Sequence, residues 1–344
     1  MRPVFLCLLI LLCVLSAVAA SGQTPSLDSV IHNQSVLDAH NCYPYEGQWS
    51  DRIDRILKQR AAGFPVAIEQ DIAWAADKAT GKSRPVVTHK RETTGDEPAL
   101  RDYFFERVRP IVEQALRDND RAHWPLIVLH FDFKDNQPAV LHAVWDLLGE
   151  YESWITTAPQ TASPGQLAPF RVGPLLVLTE DSDAQEEVFF KEVPLGKNLR
   201  LFGSAHTAAA PAGSSRQERT RFAATAAPEV LLAENPTNYR RWWNNSWAEV
   251  EEGGQTRAGD WTPADDLRLG ALVDHAHKLG FWIRFYTLDG FSRSQSKGWD
   301  EGYNFGSIEA AKLRWRAALK AGVNLIATDQ YEDLAQFMQS SASN

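Results

Sequence analysis

The sequence predicts an α/β protein that folds as a single (β/α)8 barrel of the TIM type with loop insertions. Short apolar runs alternate with amphipathic stretches along most of the chain, which is typical of strand–helix units in a parallel sheet. About eight such units in roughly 300 residues match the size of one barrel. A doubly wound open sheet is the alternative, but the first predicted strand ends in His40-Asn41-Cys42-Tyr43 and lacks that fold's glycine-rich phosphate loop.

The first twenty residues predict a secretory signal peptide. Arg2 is the only charge before Asp28, and it precedes an apolar run at 5–15 and small residues at 17–20. The apolar run is too short for a stable membrane span. We therefore expect a protein that is secreted or periplasmic, with a signal peptide at 1–20, a polar lead-in at 21–34 and one barrel domain at 35–342.

Composition and cysteine content narrow the class of protein further. The chain has 35 Lys+Arg and 44 Asp+Glu; without residues 1–20, which contain one arginine, the net charge changes from −9 to −10. An acidic chain without a long basic run is not expected to bind nucleic acid. Cys7 and Cys13 lie in the signal peptide, which leaves Cys42 alone and excludes an intramolecular disulfide. Stability must then come from a large apolar core.

The strands are predicted from short runs rich in apolar and β-branched residues, at 36–41, 66–74, 84–89, 126–134, 175–179, 199–203, 230–234, 281–288 and 325–328. Amphipathic periodicity predicts helices at 49–62, 97–118, 137–150, 182–190, 263–279, 307–321 and 330–340. Thr262 before Pro263 is a helix start signal, and Gly280 and Gly322 are stop signals. Segments 156–170 and 205–228, rich in Ala, Pro, Ser and Thr, are predicted to be surface loops.

Polar residues at the ends of the first two predicted strands are the first candidates for a site, because barrel active sites lie at the carboxyl ends of strands. The first strand ends in His40-Asn41, and the second contains Glu69 and Asp71. Strand alternation places Glu69 and Asp71 on one face. Two carboxylates this close, among apolar neighbours, both stay ionised if a divalent cation lies between them. Oxygen ligands favour a hard ion such as Ca²⁺ or Mg²⁺.

A later strand repeats this pattern. The apolar run at 126–129 leads into His130-Phe131-Asp132-Phe133-Lys134, where Asp132 and Lys134 share a face. Asp132 would complete a set of three carboxylates, and Lys134 would place a positive charge beside an anionic substrate. The short strand or ribbon at 84–89 delivers a second histidine, His89, just after the Glu69/Asp71 pair.

The order and spacing of these residues resemble the active site of the phosphatidylinositol-specific phospholipase C and glycerophosphodiester phosphodiesterase superfamily of barrel enzymes. The resemblance implies that His40 and His89 are the catalytic histidines and that Lys134 binds substrate. It also implies a set of metal ligands, namely Asn41, Glu69, Asp71 and Asp132. A weaker likeness to the family's final strand occurs at 322–329, whereas 141–320 contains no motif that aligns with a named branch.

Two positions bear on the branch of the superfamily. Asn41 directly after His40 is similar to the phospholipase C branch, whereas the glycerophosphodiesterase branch usually has His-Arg-Gly there. Asp132 stands where glutamate is common in both branches, and the sphingomyelinase D-type relatives also use aspartate. We therefore expect a metal-dependent phosphoric diester hydrolase acting on a phospholipid or phospholipid-derived phosphodiester. It would use one divalent cation and a histidine acid and base, with no stable protein partner and with transient contact to a membrane surface.

Later strands supply weaker candidates. Arg284 and Tyr286 alternate on one face of a very apolar strand, and a buried arginine needs an anionic partner. That partner could be the substrate phosphate or a structural carboxylate, and we predict both residues to be substrate-binding. Glu180 could reach the site, but a surface helix cap is the preferred interpretation; His130 is interpreted as a hydrogen-bonded interior histidine.

The cluster Trp242, Trp243 and Trp247, preceded by Arg240 and Arg241, admits two interpretations. It could form an interfacial lip at lipid headgroup depth. The preferred interpretation is a helix that packs its aromatic stripe on the barrel wall.

Two other functions are compatible with the sequence. The first is a barrel that has lost catalysis and binds an anionic ligand or surface. The second is a glycosidase that pairs Glu69 with another carboxylate about 5–10 Å away. A paired acid and base is unnecessary in the first, and the two histidines and Lys134 have no role in the second.

Overall fold

Eight parallel strands close into a barrel in the computed structural model, which describes residues 34–44, 51–254, 258–292 and 304–342. The strands within these described ranges are β1 (Val36–Ala39), β2 (Val66–Ala76), β3 (Ser83–Val87), β4 (Ile127–Phe133), β5 (Ala158–Pro159), β6 (Leu175–Thr179), β7 (Asn198–Leu199), β8 (Phe202–Ser204), β9 (Arg240–Ser246), β10 (Trp282–Tyr286) and β11 (Leu325–Thr328).

The barrel closes because its first and last strands pair. The order around it is β1-β11-β10-β9-β8-β6-β4-β2, and a β1–β2 pairing completes the ring. β2 continues past the rim, where it pairs antiparallel with β3, so the predicted ribbon at 84–89 is confirmed as an outgrowth of the barrel. β5 and β7 form a separate two-stranded sheet. The predicted TIM-type architecture is therefore confirmed.

Helices lie between the strands, as a parallel barrel requires. Their bounds are Arg52–Ala61, Glu106–Asp118, Pro138–Glu150, Asp183–Glu186, Arg216–Thr225, Pro228–Leu231, Pro263–Leu279, Ile308–Ala321 and Tyr331–Ala342, with π-helical turns at Arg101–Phe105 and Glu187–Lys191. Thr262 and Asp265 form a capping box, and Gly280 ends that helix with a left-handed φ of 94°. Both sequence signals thus act as predicted.

One predicted strand is wrong, and the strand that replaces it was not expected. Residues 230–234 were predicted as a strand, but Pro228–Leu231 is a helix that begins at a proline. An apolar run this short does not distinguish a strand from a helix by periodicity. The barrel strand in this part of the chain is β9, which pairs in parallel with β8 and β10.

The tryptophan cluster therefore belongs to the barrel, and both interpretations of it are wrong. Trp242 and Trp243 lie on β9 and Trp247 follows it, and all three are fully buried. Trp242 faces the interior, where its ring and that of His130 meet edge to face with their centres 4.9 Å apart, whereas Trp243 donates its indole N–H outward to Thr207. Both faces of a parallel barrel strand are buried, so these residues form neither a helical stripe nor a lipid-facing lip.

The predicted loop at 205–228 also contains structure. Arg216–Thr225 is a helix, and Ser215 and Glu218 form its capping box. The predicted signal peptide and nearly all of the polar lead-in lie outside the described residues. Within the described ranges, no helix is both long enough and apolar enough to cross a membrane.

The close packing of β8 on the start of β9 yields a stability prediction. A Cβ atom added at Gly203 would overlap the ring of Tyr239. Gly203→Ala should therefore lower the free energy of unfolding by about 1–3 kcal/mol, as measured by urea denaturation. Gly270→Ala is the matched control, because no described atom lies within 4 Å of its added Cβ and alanine favours a helix. A Gly203→Ala variant as stable as the wild type would contradict this packing.

Candidate active site

The polar residues of the barrel interior gather at the carboxyl ends of the strands. The structure brings together the predicted residues His40, Asn41, Glu69, Asp71, Asp132, Lys134, Arg284 and Tyr286 through charge contacts, hydrogen bonds or stacking. Parallel strands run in the same direction, so their carboxyl ends share one rim. The site is thus assembled from chain segments that are far apart in sequence.

Three carboxylates form the centre of this site. Strand register aligns Asp71 with Asp132 across β2 and β4, two positions beyond Glu69. Ligand oxygens of Glu69, Asp71 and Asp132 all lie within 4.8 Å of one another. Lys134 adds a positive charge, with its Nζ 2.6 Å from Asp132 Oδ2 and 3.1 Å from Asp71 Oδ2.

Asp71 is the residue that tests whether a cation fits. It is fully buried, and neither of its oxygens has a well-directed hydrogen-bond donor among the described residues; Lys134 is only an ion-pair partner. Burial, followed by repulsion from Asp132, raises the pKa of Asp71 well above its ordinary value. Three carboxylates this close, with Lys134 as the cation beside the buried Asp71, form the kind of oxygen ligand set that a hard divalent cation prefers. The residues therefore fit Ca²⁺ or Mg²⁺.

His40 stands beside the carboxylates with a carboxylate of its own behind it. Its Nδ1 lies 3.0 Å from Asp329 Oδ1, and its Nε2 lies 3.9 Å from Glu69 Oε1. The ring of Tyr286 stacks on the imidazole at a centroid distance of 5.9 Å. Burial by itself lowers the pKa of His40, but the charges of Glu69, Asp329 and Asp289 outweigh it and raise the pKa to about 9.

His89 occupies a more open position at the rim. Its side chain is exposed, and its ring lies 5.8 Å from the ring of Tyr43. Burial of part of the ring and the positive charge of Lys134 lower the pKa of His89, so this histidine is neutral where His40 is protonated. The two predicted catalytic histidines thus have opposite pKa shifts.

Asn41 lies on the His40 side of the centre. Its side-chain nitrogen is 2.8 Å from His40 Nδ1 and donates to Asp329 Oδ1 at 3.3 Å, while its backbone N–H faces Glu69 Oε1 at 3.5 Å. The residue has a left-handed φ of 53°, which asparagine tolerates better than most side chains. Its role as a metal ligand stays a prediction.

Arg284 has structural carboxylates as its partners. The side chain is almost fully buried, and its Nε donates to Asp38 Oδ2 at 2.5 Å while Nη2 contacts Glu69. Nη1 donates to Asn244 Oδ1 at 3.0 Å. Of the two partners left open by the sequence, the structure shows the structural one; contact with substrate stays a prediction.

A network of hydrogen bonds continues from Arg284 around the interior. Asn244 Nδ2 lies 3.4 Å from both oxygens of Glu180, and Glu180 Oε1 is 2.7 Å from His130 Nε2. His130 Nδ1 is 3.4 Å from Glu69 Oε2, and this ion-pair contact closes the ring of residues. Burial and Arg284 lower the pKa of His130, but Glu180 and Glu69 outweigh them and raise it to about 9. His130 is thus a charged bridge between two carboxylates.

Several residues of the site were missed by sequence reasoning. Glu180 was interpreted as a helix cap, yet it faces the site, and Asn244 lies on the unrecognised strand β9. Asp38 carried a signal, since it is a lone charge within the apolar run of β1. Asp329 directly follows β11, so the rule applied to the first strands would have found it.

Comparisons with known proteins show no matching family model and no matching curated protein. Solved structures of Plasmodium falciparum HPPK-DHPS are similar at a low level. The wild type with STZ-DHP is 8% identical with a TM-score of 0.44, over 91% of this chain and 48% of that one. The S436F/A437G/A613T triple mutant with pteroate is 7% identical with a TM-score of 0.45, over 90% and 48%. The chain spans about half the length of these structures, and the strand pairing, not this likeness, defines the barrel.

The raised pKa of Asp71 yields a prediction on stability. A carboxyl whose pKa is higher in the folded state than its ordinary 3.8 lowers stability as pH rises above 3.8, because the folded state then holds an unfavourable charge. At pH 8 with EDTA, Asp71→Asn should therefore be more stable than the wild type, with a free energy of unfolding higher by at least about 1 kcal/mol.

Denaturant unfolding at pH 5 and pH 8 measures this difference, and Ca²⁺ or Mg²⁺ should raise the melting midpoint of the wild type much more than that of Asp71→Asn. Asp274→Asn, at an exposed position on the helix Pro263–Leu279, is the matched control. If the wild type were more stable than Asp71→Asn in EDTA at pH 8, the conclusion that the charge of Asp71 is unfavourable in the folded state would be wrong.

Proposed function

We propose that this protein is a secreted or periplasmic metal-dependent phosphoric diester hydrolase that acts on a phospholipid or a phospholipid-derived phosphodiester. One observation carries the proposal: three carboxylates lie within 4.8 Å of one another at the carboxyl ends of two barrel strands, beside a histidine paired with its own aspartate. A divalent ion, a general acid and a general base are the components that hydrolysis of an anionic ester requires.

The ligands for the cation would be Glu69, Asp71 and Asp132, with Asn41 as the fourth residue. A bound Ca²⁺ or Mg²⁺ would supply positive charge to a non-bridging phosphate oxygen and to the charge that develops at phosphorus. Lys134 lies at the edge of this set and is partly accessible. Its positively charged ammonium group would attract the phosphate and hold it close to the carboxylate cluster.

The two histidines would divide the proton transfers. Enzymes that need both an acid and a base separate the pKa values of the two groups through their environments. His40, whose pKa is raised, would give its proton to the leaving oxygen, while Asp329 holds the ring through Nδ1. His89, whose pKa is lowered, would take a proton from the attacking hydroxyl. The attacker is water or a hydroxyl of the substrate itself.

The rival glycosidase is disfavoured by the charges around the carboxylates. A glycosidase acts through two carboxyl groups alone, whereas here Lys134 lies between Asp71 and Asp132 and a histidine paired with Asp329 lies beside Glu69. Contact with a membrane surface remains part of the proposal only as access to a lipid substrate, since Trp242, Trp243 and Trp247 are buried. We expect no stable protein partner and no nucleic acid.

The deciding experiment assays residues 21–344 against bis-nitrophenyl phosphate, glycerophosphocholine, phosphatidylinositol and sphingomyelin, each with EDTA, Ca²⁺ or Mg²⁺. Turnover should require the cation. His40→Ala should reduce kcat by about 10²–10⁴-fold, the usual contribution of general acid–base catalysis. Glu69→Gln, which removes a proposed cation ligand, should abolish the cation-dependent turnover.

Glu187→Gln, on the exposed surface, is the matched control and should leave turnover unchanged. A folded protein that binds the cation but hydrolyses none of the four esters would support the rival binding protein. A folded protein that binds no divalent cation would overturn the metal site itself.

The division of roles between the histidines predicts the pH dependence of kcat/KM. The rate should rise with pH through a value below 6.5, as His89 loses its proton, and should fall above about pH 9, as His40 loses its own. His89→Ala should remove the acidic limb and His40→Ala the alkaline limb, as read from rates between pH 5 and pH 10. If the acidic limb persisted in His89→Ala, His89 would not be the general base.

A further inference from the structure

Arg52 lies beneath the candidate site, in contact with the backbone of His40 and Asn41. It is the first residue of the helix Arg52–Ala61, where the positive end of the helix dipole makes a cation unfavourable. The side chain is nonetheless fully buried. A residue that violates a local rule this clearly, at this depth, is expected to serve the site rather than the helix.

The guanidinium contacts the two chain segments that carry His40 and its aspartate. Nη1 donates to the carbonyl oxygens of Asn41 and, at 3.4 Å, of His40, while Nη2 donates to Asp329 Oδ2 at 3.4 Å. One rigid group therefore binds the end of β1 and the residue after β11. Its planar, forked shape allows this, whereas an ammonium group would not span both segments.

Aromatic rings enclose the guanidinium. Its central carbon lies 6.0 Å from the ring centre of Tyr43 and 6.0 Å from that of Tyr331. The hydroxyl of Tyr331 donates to the carbonyl oxygen of His40 at 2.8 Å, so it shares an acceptor with Arg52. The backbone at His40 and Asn41 is thus held from two directions, although Asn41 has a left-handed φ of 53°.

We propose that Arg52 is a positioning residue for the proposed reaction: it fixes the left-handed turn at Asn41 and the carboxylate of Asp329, and through them the ring of His40. This inference rests on the proposed function. A purely structural role would not require a buried cation, because replacing buried ion pairs with apolar side chains is often neutral or stabilising. Arg52 instead acts through the residues that touch the reacting atoms.

The experiment compares Arg52→Lys with Arg55→Lys, which alters an arginine one turn later on the same helix whose partner, Glu332, is an exposed residue of the helix Tyr331–Ala342. The readouts are kcat, KM, cation affinity by calorimetry and melting temperature. Arg52→Lys should lower kcat about 100-fold, the usual effect of a small misplacement of catalytic groups, and leave KM nearly unchanged. It should also weaken cation binding about 10-fold through Asn41, whereas Arg55→Lys should change neither.

A folded Arg52→Lys with the kcat and cation affinity of the wild type would overturn the proposal. So would a variant whose melting temperature falls while its folded fraction keeps full kcat, because Arg52 would then be structural only. Tyr331→Phe is the second variant, for the case in which Arg52→Lys does not fold. It removes one hydrogen bond to the His40 carbonyl and should lower kcat about 10-fold. An unchanged kcat in this variant would count against the proposal. Failure of the proposed function is a separate result, since the wild type itself would then hydrolyse no ester.

Discussion

The organisation of this protein depends on three carboxylates that lie close together at the ends of two adjacent buried strands. Asp71 and Asp132 are partners in the β2–β4 register, and Glu69 lies two positions earlier on the same face. Carboxylates that are within 4.8 Å of one another repel strongly when water is excluded. The surrounding residues therefore supply compensation: Lys134 between two carboxylates, and Arg284 and His130 beside Glu69.

The compensating positive charges lie on two sides of Glu69, so the site has two halves that meet at this residue. One half holds the Asp71–Asp132 pair and Lys134, where a cation and a phosphate would bind. The other half holds His40 with Asp329 behind it, and Arg52 ties both to the helix that follows β1. Because Glu69 Oε1 lies 3.9 Å from His40 Nε2, the charge state of one half affects the other. In the proposed function, a shared carboxylate of this kind would couple cation binding to proton transfer.

The part of the fold that sequence reasoning missed has a common physical cause. A parallel barrel strand is buried on both faces, so it lacks the alternation by which half-buried strands are recognised. β9 begins Arg240-Arg241 and continues with two tryptophans, and only its partners β8 and β10 reveal that both faces are covered. The prediction of a strand at 230–234 was wrong for a different reason, because a short apolar run is compatible with either a strand or a buried helical turn.

By itself, the sequence determined the barrel, the strand ends that carry Glu69, Asp71, Asp132 and Lys134, and the same-face pairing of these residues. Those conclusions follow from periodicity within one strand, which is local information. Tertiary structure alone decided that Asp38, Glu69 and Asn244 hold Arg284, that Asp329 pairs with His40, and that Arg52 reaches both. These contacts join residues far apart in the chain, and those that link Asp329 and Arg284 to β1 form only when closure of the barrel pairs its first and last strands.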